Sequence, residues 1–109
     1  MNQFKFSHSY SKLTMPWFPS LRRAYPPQKL AYYSAKVGED FEIVYVPEDE
    51  AEPRVRLGVG RLLWCGLVNL EDLPPLFLAF DTDNGLYKLP KRGKYISLLF
   101  AWRERDDSH

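Results

Sequence analysis

The stretch Arg54-Val55-Arg56-Leu57-Gly58-Val59-Gly60-Arg61-Leu62-Leu63-Trp64-Cys65-Gly66-Leu67-Val68 reads as one long strand. Gly58, Gly60 and Gly66 sit where such a strand can bulge or turn a corner. A strand this long in a small domain has to bend, and a bent strand curls the sheet that contains it. The glycine spacing therefore points toward a small barrel.

The flanking sequence adds strands to this one. Phe4, Phe6 and His8 alternate with Lys5 and Ser7, and Phe41, Ile43 and Tyr45 alternate with Glu42, Val44 and Val46, the period of half-buried strands. Leu30 to Ala35 is expected as a further strand, with Gly38 in the turn before Asp40 to Val46, and Tyr95 to Trp102 as the closing strand. Ser9 or Ser11 offers a cap for a short helical turn. Pro16, Pro19, Pro26 and Pro27 break the next segment, so Thr14 to Gln28 is expected as a long connection of the kind that often forms a binding loop. Pro47 to Pro53 reads as an acidic loop, and Asp83-Asn84-Gly85 and Arg92-Gly93 read as turns. Asn69 ahead of Leu70, Glu71, Asp72 and Leu73 is a helix start, with Pro74 and Pro75 limiting its continuation. Five or six strands with one or two short helices give a mostly β, α+β fold: a small, partly open β-barrel.

A chain of 109 residues, 45% hydrophobic and 16% aromatic, is long enough for one core, and residues 1–105 are expected as a single domain with 106–109 as a flexible tail. The single Cys65 excludes an internal disulfide and a cysteine-based zinc cluster. No signal-like segment or run of about 20 apolar residues is visible, so no membrane partner and a cytoplasmic location are expected. No cofactor is implied.

The net charge of +1 conceals a strong segregation. The first carboxylate is Glu39; before it Lys5, Lys12, Arg22, Arg23, Lys29 and Lys36 are interleaved with phenylalanine, tyrosine and Trp17. Between Gly38 and Pro53 every charge is negative, and Lys88, Lys91, Arg92 and Lys94 form a second basic cluster. Cations neutralise phosphates and aromatic faces stack on bases, which makes RNA or a nucleotide the expected partner.

Four stretches together resemble the ASCH domain, a branch of the PUA-like superfamily of β-barrels associated with RNA binding and modification. They are Phe6-Ser7-His8-Ser9-Tyr10 with Lys12-Leu13; Phe18-Pro19-Ser20-Leu21-Arg22-Arg23; Lys36-Val37-Gly38-Glu39; and Gly58 to Val68 leading into Leu70-Glu71-Asp72-Leu73. The resemblance implies a ligand cleft at the barrel mouth, with Ser20 and Arg22 in the positions of a family Thr and Arg. Trp17 stands where family members that hydrolyse acylated cytidine carry a lysine base, and an indole can stack on a base but cannot abstract a proton.

The expected interface is therefore Lys12 and Arg22 on phosphate, Ser20 as hydrogen-bonding group, Trp17 as stacking group, and Arg23, Lys91, Arg92 and Lys94 extending the positive path. The bland alternative for Arg22-Arg23 is a solvated surface pair, and for Trp17 and Phe18 a plug at the barrel end. A second reading is an amidohydrolase of an acylated nucleoside, with Lys12 as base, Ser20 as nucleophile and Glu71 as orienting acid. A third is a protein interaction module that uses the acidic hairpin or a barrel edge. His8 and His109 make no convincing metal site, Asp81 and Asp83 are better read as turn formers, and Gly58-Val59-Gly60 lacks the third glycine of a dinucleotide fingerprint. Cys65 is expected to be buried and inert.

Overall fold

The structure is a computed structural model that describes residues 1–6, 11–47, 51–82 and 93–106. In chain order it contains β1 (Asn2–Phe6), a 3-10 turn (Ser11–Thr14), β2 (Trp17–Arg23), α1 (Gln28–Ala35), β3 (Asp40–Tyr45), β4 (Val55–Asn69), a second 3-10 turn (Leu70–Asp72), α2 (Pro75–Thr82) and β5 (Lys94–Arg105). The five strands form one sheet in the order β1-β3-β4-β5-β2. β1 runs parallel to β3 and every other pair is antiparallel. The sheet curls into a half-barrel, giving the small, mostly β, partly open barrel with two short helices that the sequence indicated.

Two segments differ from their sequence reading. The proline-bracketed connection contains β2, a strand paired with β5 from Trp17↔Ala101 to Arg23↔Tyr95. Pro19 fits within it because β2 is an edge strand, where a missing N–H leaves no ladder bond unmade. The second difference is α1, which replaces the strand expected at Leu30 to Ala35. Gln28-Lys29-Leu30-Ala31-Tyr32-Tyr33-Ser34-Ala35 contains no β-branched residue, follows Pro26-Pro27, and ends before Gly38, whose φ is +91°. Leu30 and Tyr33, three residues apart, pack on the core, so the helical period settles the segment.

β4 is the long strand and pairs with both β3 and β5. Register shifts fall between Ile43 and Val44, between Val59 and Gly60, and between Leu62 and Trp64, bracketing Gly58 and Gly60. Gly58 adopts φ +143°, and a side chain there would run into the Glu104 carbonyl of β5.

The core lies inside the curl. Phe4, Phe18, Phe41 and Phe100 are essentially sealed, with Ile43, Leu62, Ile96 and Leu98 among them. Phe100 is the hub: its ring lies 4.8 Å from Phe4, 5.3 Å from Phe18 in a stacked arrangement, and 5.6 Å from Phe41. The remaining ends are tied by polar contacts. Arg105 donates to the carbonyls of Leu13, Thr14 and Met15, closing the C-terminal end of the first 3-10 turn. Asp106, assigned to the tail by sequence, accepts from Arg56 at 2.8 Å, and its N–H donates to the Leu57 carbonyl.

His8, Lys88, Lys91, Arg92, the Asp83-Asn84-Gly85 turn and His109 lie outside the described residues, as do positions 48–50 of the acidic loop. No helix among the described residues is long and apolar enough to cross a membrane.

Candidate nucleic-acid interface

Strand alternation decides which of the expected site residues can act together. On β2, Phe18 and Ser20 point inward with Arg22, while Trp17, Pro19, Leu21 and Arg23 belong to the opposite face. Trp17 and Arg23 are also six residues apart, about 20 Å along the strand. One cleft holding Trp17, Ser20 and Arg22 around a single base, as a loop would allow, is therefore not formed. The correction follows directly from β2 being a strand.

Arg22 crosses the open seam of the half-barrel. β1 and β2 are the two edges of the sheet, and Arg22 Nη2 donates to the Lys5 carbonyl on β1 at 2.8 Å. Its guanidinium lies 4.2 Å from the Phe4 ring centroid and 5.0 Å from that of Phe6. Phe6 and Phe18 also meet across this gap, 6.0 Å apart. Arg22 is only partly exposed, and much of its hydrogen-bonding face is directed at the protein itself.

Lys12 and Ser20 are each 2% exposed. The Lys12 ammonium stands 5.4 Å from the Phe6 centroid, and Ser20 sits opposite Leu98 in mid-strand. Neither is displayed to a phosphate in the surrounding solvent. Glu71 is exposed and its Oε2 accepts from the Gly93 N–H at 3.4 Å. The Ser20 row continues through Leu98 to Cys65, and Asn69 is already four residues, about 13 Å, farther along β4. Glu71 lies beyond Asn69 and does not join Lys12 and Ser20 in a catalytic set.

The cations that remain displayed gather at one corner. Arg23 is opposite Tyr95, and Lys94, the residue before Tyr95 on β5, is opposite Asn69; alternation turns the two cations to opposite faces at the same end of the sheet, whose rim they flank. Arg23 and Lys94 are both exposed, and Tyr25, 80% exposed, follows two residues after Arg23. Separated by 71 positions in the chain, Arg23 and Lys94 become neighbours only through the β2–β5 pairing.

α1 packs on the inner side of β4. Tyr33 reaches the core, 6.0 Å from Phe4 and 6.5 Å from Phe41, and the Ser34 hydroxyl lies 3.8 Å from the Cys65 thiol. Burial raises the Tyr33 phenol above its ordinary value, against the opposing pull of the Arg22 charge. Cys65 is half-buried, not sealed as expected. Lys36 stands 5.7 Å from the Tyr32 ring and 3.8 Å from Glu39.

Sequence reading passed over Trp64 as a functional residue. It is 49% exposed and packs over Gly66, a relation signalled by the Trp-x-Gly spacing on a strand, where residues two apart share a face. Among the described residues no group of three or more His, Cys, Asp and Glu is placed to hold a metal ion. Neither a family model, a curated protein nor a solved structure matches this chain.

Proposed function

We propose that the protein is a small RNA- or nucleotide-binding module whose phosphate contacts lie at the Arg23–Lys94 corner of the half-barrel. One observation carries this reading. The three consecutive strands β4, β5 and β2 carry Arg22, Arg23, Arg56, Arg61, Lys94 and Arg103 and not one carboxylate before Glu104. Arg56 and Arg61 are engaged by carboxylates: Glu42 and Asp40 on β3, Glu104 near the end of β5, and Asp106 just beyond it. Arg23, Lys94 and Arg103 are exposed. An excess of cations on these strands favours a polyanion by steering and by release of its counterions.

The fold class agrees with the ASCH and PUA-like resemblance, and an intracellular RNA ligand is part of the same reading. Arg22 serves here as a seam residue that orients the corner, in place of the direct phosphate contact expected for it. The hydrolase alternative gains no support, since two of its three residues are sealed and the third stands apart.

The test is a titration of labelled single-stranded RNA at low and raised salt, with an Arg23→Glu, Lys94→Glu variant in parallel. Binding should weaken at least about tenfold in the variant and fall steeply with salt. Binding that ignores both changes would remove the basis of the proposal.

A further inference from the structure

We infer that the outer face of β4, β5 and β2 is a stacking platform on which Trp64 and Trp17 take two bases of a single-stranded nucleic acid. The inference rests on the nucleic-acid reading above and specifies the form of the ligand.

The register places both rings on one face. Trp64 is opposite Leu99 and Leu99 is opposite Pro19, whereas Trp17 is opposite Ala101, two residues along β5 and so on the same side. Leu98 and Phe100, the alternate residues of β5, are sealed in the core, which fixes this as the outer side. Trp64 and Trp17 are 49% and 50% exposed, while Tyr95 and Ser97 farther along the same face of β5 are covered. Pro19, which lies between the two indoles in the register, is buried as well, so the rings are two separate exposed faces on this side of the sheet.

Trp64 does not project freely. A β-carbon added to Gly66 would come within 2.5 Å of its Cη2 and 2.6 Å of its Cζ2, so the indole is laid along the strand over bare backbone. A ring held flat on a sheet needs little ordering when a base stacks on it.

Spacing and charge select the occupant. The two tryptophans are two strands apart and offset by two residues, about 12 Å between their positions. Bases stacked in a duplex are about 3.4 Å apart and bury their faces on one another, so only an extended strand can offer a base to each ring. Arg61, on the same strand as Trp64, lies opposite Ala101 and is bonded to Asp40 at 3.0 Å, and the exposed Arg103 follows Ala101 by two residues. Arg103 adds an exposed cation beside the platform, where a phosphate backbone requires one.

The experiment titrates oligouridine, an RNA duplex of equal length, and an abasic ribose–phosphate oligomer into the wild-type protein, Trp64→Leu, Trp17→Leu and Arg23→Glu, Lys94→Glu. Leucine keeps an apolar cover over the sheet without a ring face, and circular dichroism verifies folding. Oligouridine should quench indole emission, bind at least about tenfold more tightly than the duplex or the abasic oligomer, and lose about tenfold in each leucine variant. If oligouridine binds and is lost only in the charge-reversed variant, the platform is overturned while the basic corner stands. If no oligomer binds the wild-type protein, the nucleic-acid reading fails and this inference with it.

Discussion

At the scale of residues, Arg22 and Arg23 show how adjacent positions acquire different work. Arg22 bridges the two edges of the sheet, so Arg22→Ala removes a charged hydrogen bond and a cation–aromatic contact, and should lower stability by about 2 kcal/mol in urea unfolding. Arg23→Ala, on an exposed site, should stay within about 0.5 kcal/mol. Tyr33 supplies a pH test. Its folded pKa is raised, so the stability it contributes is fully present below the ordinary value of 10.0 and is lost as pH rises through the higher folded value. The stability difference between wild type and Tyr33→Phe, measured by urea unfolding from pH 8 to about pH 11, should therefore shrink at the alkaline end. A constant difference would mean that burial does not govern this phenol.

At the scale of elements, β4 owes its curvature to a few backbone positions. Gly58→Ala introduces a positive-φ side chain against the Glu104 carbonyl, which is backbone and cannot swing aside; a loss of about 3 kcal/mol is expected, read from the urea midpoint. Gly66→Ala meets only the far end of Trp64, so the ring should lift at a cost of about 1 kcal/mol or less. The accompanying signature is a red shift of indole emission. β2 and α1 mark where local reading and structure part. Prolines mark breaks when partners are unknown, yet an edge strand tolerates one, and the short run around Leu30 and Tyr33 suits a strand or a helix until its packing partner is known.

At the scale of the molecule, the half-barrel is one aromatic core wrapped by a sheet whose two edges are joined by side chains. Phe100 contacts the rings of Phe4, Phe18 and Phe41, drawn from three other strands, so Phe100→Ala should cost about 3–5 kcal/mol and unfold the whole domain in one transition. The candidate site was legible in part. The carboxylate-free basic front end, with Arg23 and Trp17, and the second basic cluster, with Lys94, are both plain in the chain. That Lys12 and Ser20 are sealed, and that Trp64 joins Trp17, depends on which face each residue takes.

The sequence by itself determined the glycine-bent strand, the alternating strands β1 and β3, the closing strand β5 and the segregation of charge, because these follow from local backbone freedom and composition. Only the tertiary structure decided that β2 pairs with β5, that α1 is a helix packed on the core, and that Arg23 and Lys94 share a corner. Pairing partners and strand facing are properties of contacts between distant segments. A strand shifted by one residue exchanges its two faces, and no local pattern in a proline-broken segment fixes that choice.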